Sequence, residues 1–317
     1  MKYGVTALGE LLIDFTTYGT SENGMKLFEQ NPGGAPANVL VALQNLGINT
    51  AFIGKVGDDM HGHFLKNTLN KFKINTDNLI LDKDFFTTLA FVNLKDGERE
   101  FSFARKPGAD TQLKKEEIDV EILKNSKIFH FGSLSLTNEP SKTATLFSIS
   151  EAKKNGLIIS YDPNYRALLW DSKEIAIKEM RSVIKYVDII KISDEETELL
   201  TGEKSPSKAG DILLKQGVSC VVITLGADGA LLKTKNFEIQ SKGKKREVID
   251  TTGAGDSFWG AILYKFITTN KTFSDLTEND GYEFLKFANC VAGLCIEKRG
   301  AIPAIPKLDE VLKDLEY

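Results

Sequence analysis

The feature that most constrains this chain is an alternation of short apolar runs with helical patterns along almost its whole length. VTALGELLID, TAFIGKVG, KIFHFGSL, GLIISYD, VDIIKIS and SCVVITLG are strand candidates. Several are continuous runs rich in β-branched residues, the pattern of strands buried on both faces. APANVLVALQNLG, SKTATLFSISEAKKNG, AIKEMRSVIKYV, SKAGDILLKQG and YEFLKFANCVAGLCIEKRG carry helical spacing, several closed by glycine. Strand, helix, strand in that order predicts an α/β fold: a doubly wound, mostly parallel sheet with helices on both faces. With 317 residues, 42% hydrophobic and 26% charged, the chain suits a single α/β domain over 1–317.

One stretch departs from the alternation. TTLAFVNLKDGEREFSFAR reads as two strands around Asp96-Gly97, with Phe101 and Phe103 on one face. Together with the irregular TTYGTSENGMKLFEQN it can build a small β-sheet lid from insertions at about 15–32 and 87–106; an ordinary edge hairpin is the alternative.

Charge and composition exclude other classes. A net charge of -4, with Lys and Arg scattered among acids, leaves no basic field for nucleic acid. MKYGVTALGELLIDF lacks a small-residue cleavage site and reads as a first strand. No apolar run approaches the roughly 18 residues of a membrane span. Cys220, Cys290 and Cys295 show no C-x-x-C spacing and read as reduced core thiols of a cytoplasmic protein. His61 and His63 lack a third ligand nearby and read as a surface turn.

Ligands of open α/β sheets gather at the C-terminal ends of the strands. Polar residues collect at four such places. Asp14 ends the first strand, Gly33-Gly34-Ala35-Pro36-Ala37-Asn38 precedes a helix, Asp162-Pro163-Asn164-Tyr165-Arg166 ends GLIISYD, and DTTGAGD follows REVI. Each is also ordinary turn chemistry. VIDTTGAGDSFWG puts glycines where a helix begins, so unpaired N–H groups and the helix dipole make a phosphate site. Asp256 at that end either complements the dipole or accepts a proton beside a phosphate about to move.

GGAPAN near the start and DTTGAGDSF near the end resemble the two signature segments of the ribokinase-like (PfkB) carbohydrate kinases, over essentially the whole chain. DPNYR, FARKPGAD and FANCVAGLCIEKRGAIPAIP look most like those of bacterial fructokinases. There is no G-x-x-x-x-G-K-[ST], and GAGDSF lacks the third glycine of a dinucleotide fingerprint.

The resemblance implies transfer of the ATP γ-phosphoryl to a sugar hydroxyl, with D-fructose going to fructose 6-phosphate. The alternatives are a 2-keto-3-deoxygluconate kinase and a non-catalytic sugar- or nucleotide-binding regulator. Asp256 is then the base, and the amides of Ala254, Gly255 and Asp256 form the anion hole, with Gly253 among the catalytic residues because glycine lets the backbone approach closely. Asp14, Gly33, Gly34 and Asn38 match sugar contacts, although Asp14 also suits a turn cap. Arg105 and Arg166 are clamps on substrate oxygens or else surface ion pairs.

Lys191 and Ser193 lie on the nucleotide side, in KISDEE, where the family carries Asn-x-x-Glu. Glu196 there belongs to the outer shell of Mg2+, or it closes an ordinary capping box. Thr224, Gly226 and Gly229 in TLGADG match the turn beside the ATP phosphates, and a plain tight turn looks the same. Asn289, Gly300 and Ala301 match positions around adenine; Asp250 and Thr252 match a K+ site. The exposed hairpin edges allow a homodimer through the lid.

Overall fold

The computed structural model describes residues 1–95 and 98–316, so the turn at Asp96-Gly97 lies outside the described residues. In chain order the strands are β1 (Tyr3–Leu8), β2 (Leu12–Thr20), β3 (Lys26–Gly33), β4 (Thr50–Gly57), β5 (Asn75–Asp82), β6 (Leu89–Lys95), β7 (Glu98–Ala104), β8 (Ser126–Gly132), β9 (Ile158–Asp162), β10 (Ile189–Ser193), β11 (Cys220–Thr224), β12 (Ala230–Thr234) and β13 (Glu238–Ser241). The helices are α1 (Ala35–Asn45), α2 (Met60–Lys71), α3 (Val120–Lys124), α4 (Ser141–Lys154), α5 (Lys173–Ser182), α6 (Asp194–Thr201), α7 (Pro206–Lys215), α8 (Ala254–Thr269), α9 (Glu278–Ile296) and α10 (Leu308–Leu315).

Nine strands form one sheet in the order β13-β12-β11-β10-β9-β8-β1-β4-β5. From β11 to β5 every neighbour is parallel; β12 and β13 close the other edge antiparallel. Successive side chains of a strand point to opposite faces, and both faces here are buried. Cys220 and Val222 of β11 join the core beneath α1, α8 and α9, while Val221 and Ile223 join the core beneath α4, α5 and α7. Each fully buried aliphatic side chain contributes about 1.5–3 kcal/mol. The same alternation sends Ser160 and Asp162 of β9 and Lys191 of β10 to the face that α8 covers, away from Ile159, Tyr161, Ile190 and Ile192.

A second sheet has four strands in the order β3-β2-β6-β7. β2 pairs antiparallel with β3 and parallel with β6, and β6 pairs antiparallel with β7. Phe101 and Phe103 stack at 6.2 Å on one face.

Several expectations are corrected. VTALGELLID is two strands, broken at Gly9-Glu10-Leu11, and Asp14 lies inside β2 of the small sheet rather than at the end of the first strand. The break occurs where the chain crosses between sheets. A side chain at Gly34 would collide with the Glu10 carbonyl there, so the glycine, at φ 118, permits the close approach. The segment 16–31 is not irregular; most of it is the β2–β3 hairpin. REVI joins no strand ladder, and the Ile249 and Asp250 amides bond instead to the Ile296 carbonyl. His61 and His63 sit in the first turn of α2, because the Asp59 carboxylate accepts from the His61 and Gly62 amides and starts a helix there. AIKEMRSVIKYV starts its helix earlier, at Lys173 after the cap Ser172, and α5 ends at Ser182.

Candidate active site

The two sheets and the α8 N-terminus enclose a cavity of about 640 Å³. Asp14, Asn38, Asn164, Arg166, Lys191 and Asp256 are among its lining residues. These come from β2, α1, the loop after β9, β10 and α8. Ends of parallel strands and starts of helices thus converge on one space.

Helix α8 begins at Gly253, whose φ of 78 only glycine adopts readily. A side chain there would lie 2.9 Å from the Cβ of buried Ala301. In the first turn, the Ala254 amide bonds to the Thr251 carbonyl at 3.3 Å. The Gly255 and Asp256 amides find no acceptor among the described residues. The anion hole expected from three amides therefore has two uncommitted ones, and Ala254 serves the turn. Lys191 adds a charge beside them, since a Cβ on Gly255 would lie 3.1 Å from its Nζ.

Asp256 is buried and doubly held: Asn38 Nδ2 donates to its Oδ2 at 2.8 Å, and Asn164 Nδ2 donates to its Oδ1 at 3.4 Å. Behind it, Lys191 Nζ donates to Asp162 Oδ2 at 2.7 Å, both groups buried. Burial works against the Lys191 ammonium, and Asp162, Glu196 and Asp256 outweigh it, so its pKa is raised. Asp14 is pushed up to about 6 by burial, against the pull of Arg166, with Asp256 and Asp250 adding repulsion. A side chain at Gly33 would collide with the Asp14 carboxylate, so the glycine pair keeps the backbone close to it. Burial likewise pushes Glu10 up to about 7, although its Oε1 accepts the Ala35 amide at 2.9 Å.

Arg105 does not line this cavity. Its guanidinium is buried and bonds to Asp110, to Thr137 Oγ1 and to the Leu134 carbonyl. It is neither a substrate clamp nor a surface ion pair in this arrangement, because its donors are used inside the wall. Arg166 does line the cavity, and its Nη1 donates to the Tyr165 carbonyl at 3.1 Å.

Of the residues expected on the nucleotide side, Lys191 lies beside Asp256. Ser193 and Glu196 form the capping box of α6: Ser193 Oγ accepts the Glu196 amide at 3.3 Å, and Glu196 Oε2 accepts the Ser193 amide at 2.8 Å. Glu196 Oε1 accepts the Tyr165 amide at 2.7 Å, which ties α6 to the loop carrying Asn164. Thr224 ends β11, and Gly226 (φ 56) and Gly229 (φ 86) shape the turn into β12. Asn289 finds its partner in the Ser241 carbonyl at 2.9 Å. Asp250 ties its own loop to the segment after α9: its Oδ1 accepts from Thr252 N and Oγ1 at 3.0 and 2.7 Å, and its Oδ2 accepts the Gly300 amide at 3.0 Å. Thr224, Gly226, Gly229, Asn289, Gly300 and Ala301 lie outside the cavity lining, with Arg299 the lining neighbour of the last two.

Sequence reasoning missed Asn164, Asp162 as the partner of Lys191, and Glu10. The signal available was the polar run DPN closing a buried strand, which also suits a plain turn.

Residues 3–308 match the family model described as pfkB family carbohydrate kinase. A probable fructokinase-5 of Arabidopsis thaliana is 43% identical over 306 residues, covering 95% of this chain and 94% of its own. A fructokinase with bound ATP from Xylella fastidiosa superposes with a TM-score of 0.91 at 30% identity, covering 100% of this chain and 99% of its own. A fructokinase from Vibrio cholerae O395, in fructose, ADP and calcium ion bound form, superposes with a TM-score of 0.88 at 32% identity over 99% of each chain. With the glycine-started helix, the buried aspartate and the second sheet in place, the chain belongs to the pfkB family of carbohydrate kinases and has the ribokinase-like fold.

Proposed function

We propose that this protein is an ATP-dependent fructokinase that moves the γ-phosphoryl of ATP to the 6-hydroxyl of D-fructose. The observation that carries this reading is the Asp256 carboxylate, clamped by two asparagine amides beside the uncommitted amides of α8. In this reading Asp256 takes the hydroxyl proton, the oxygen attacks phosphorus, and the bond to the ADP oxygen breaks. The Gly255 and Asp256 amides and the Lys191 ammonium meet the charge on the moving phosphoryl. Asp14, Gly33, Gly34 and Asn38 hold the sugar, with Arg166 at its edge.

The charges favour a neutral sugar over a sugar acid. Glu10, Asp14, Asp250 and Asp256 line the cavity, while Asp110 and Asp162 already neutralise Arg105 and Lys191. A carboxylate substrate such as 2-keto-3-deoxygluconate would have Arg166 and Arg299 to bind and four acids to face. The fructose and ADP in the Vibrio cholerae relative support the same sugar.

Thr224, Gly226, Gly229, Ser193, Asn289, Gly300 and Ala301 are proposed to seat the nucleotide. The residues present fit a magnesium ion. Asp162 Oδ1 is a buried carboxylate oxygen without a hydrogen-bond partner, Glu196 is a charge neighbour, and oxygen donors suit this cation. When bound, the ion neutralises phosphate charge. Asp250 and Thr252 offer oxygens to K+, although their mutual hydrogen bonds already pin that loop. The chain is proposed as one domain whose small sheet is a lid: Thr16, Thr17, Val92, Phe101 and Phe103 face the cavity. Its outward Tyr18, Leu27 and Phe28 support a homodimer through the lid. No helix among the described residues is long and apolar enough to cross a membrane, and three buried free thiols suit a cytoplasmic setting.

The test is ADP release across fructose, glucose, mannose, ribose, adenosine and 2-keto-3-deoxygluconate with magnesium and ATP. Fructose should give the highest kcat/KM. Preference for the keto-deoxy acid would move the substrate to Arg166, and no turnover on any of them by folded protein would leave a regulator.

A further inference from the structure

A general base works only if a lone pair of its carboxylate points at the proton, and a carboxylate turns about its Cβ–Cγ bond unless both oxygens are held. This inference rests on the reading of Asp256 as that base. The two holding amides come from distant parts of the chain, Asn38 in the first turn of α1 and Asn164 in the loop after β9. Turning the Asn38 amide over would set its Oδ1, buried and without a partner, against the carboxylate, so the donor orientation is determined.

Asn164 is held more tightly than a loop residue needs to be. Its φ of 47 lies in the left-handed region, uncommon for a non-glycine residue. The backbone is pinned on both sides: the Pro163 carbonyl accepts the Ser133 amide at 3.1 Å, and the Tyr165 amide donates to Glu196 Oε1 at 2.7 Å. Asp14 from β2, Asp162 from β9, Lys191 from β10 and Cys295 from α9 are among the titratable groups in electrostatic reach of Asp256. Two of these are acids that repel its carboxylate, so an unrestrained side chain would turn toward Lys191.

We propose that Asn164 is a positioning residue: its amide, with that of Asn38, fixes the plane of the Asp256 carboxylate so that the remaining lone pairs face the sugar hydroxyl. It acts through Asp256 and takes no proton itself.

Two variants separate this from a structural role. Asn164→Gly adopts the left-handed backbone without strain and removes only the amide. Asn164→Asp keeps the shape but replaces the donor with a second acid. The glycine variant should lose about tenfold or more in kcat, with KM for sugar and ATP within about threefold and an unchanged thermal midpoint. The aspartate variant should lose more. In an Asp256→Asn background, Asn164→Gly should add no further loss, because the group it positions is gone.

A glycine variant within about twofold of the parent kcat, a KM that rises in step with the loss, or additive losses in the double variant would each overturn the proposal. Asp256→Asn that keeps its turnover would remove the base itself, and that result is read independently of the Asn164 single variants.

Discussion

The two sheets of this kinase are built on opposite terms. The nine-stranded sheet is buried on both faces, and its strands read as unbroken apolar runs. The four-stranded sheet has one face toward the cavity and exposes Tyr18, Leu27 and Phe28. Asp162 and Lys191 stand on strands of the first, and Asp256 on α8, whose Trp259 bonds to Ser160 of that sheet. The second carries the residues proposed to cover the sugar, together with Asp14 and Gly33, proposed to hold it. A packed sheet between two helix layers has no room to move, whereas a sheet with one solvated face can shift as a body.

The largest expected effect tests the first half of that contrast. Trp259 of α8 is fully buried, and its Nε1 donates to Ser160 Oγ at 3.0 Å, which also bonds to His130 Nδ1 at 2.9 Å. Trp259→Ala should cost about 3–5 kcal/mol of stability in denaturant unfolding, while Tyr18→Ala on the small sheet should stay within about 0.5 kcal/mol. Equal losses would erase the distinction.

A smaller effect tests the second half. Replacing residues 92–101 with a short glycine bridge should raise KM for sugar by about tenfold or more and increase sugar-independent ATP hydrolysis, because water then reaches the phosphoryl. The unfolding midpoint of the main sheet should barely move. Unchanged sugar kinetics would make the small sheet an ornament of the edge.

The smallest effect concerns the seam between the sheets. The folded-state pKa of Asp14 is raised to about 6 from 3.8, so the folded protein binds this proton more tightly than the unfolded chain. Stability from this group is therefore full below the unfolded value and is lost as pH rises through about 6. Asp14→Asn should flatten that decline and stabilise the protein by about 1 kcal/mol at pH 7.5, at the expense of sugar affinity. Thermal midpoints of both proteins from pH 4 to 8 would measure it, and parallel curves would refute it.

How much could be read in advance follows the same division. The parallel sheet was legible because β-branched runs such as VDIIKIS and SCVVITLG are local signals, and DTTGAGD marked a helix start through glycine spacing alone. The crossing at Gly9-Glu10-Leu11 was not, since Leu8 and Leu11 to Ile13 are apolar on both sides of it. Asn164 was hidden because its partner lies 92 residues away. Arg105 was misjudged for a different reason: Asp110 is only five residues on, yet nothing in the spacing says whether such a pair is inside or outside.

The joint between Asn38 and Asp256 also carries a timetable. The two residues are 218 positions apart, and a ribosome adding 5–20 residues per second separates their appearance by roughly 10–45 s. Throughout that interval the nascent chain already holds Asp14, Gly33, Gly34 and Asn38, the first of its proposed sugar contacts, but neither Asp256, the proposed base, nor α8. Chemistry arrives last, on a scaffold whose other parts have had time to find one another.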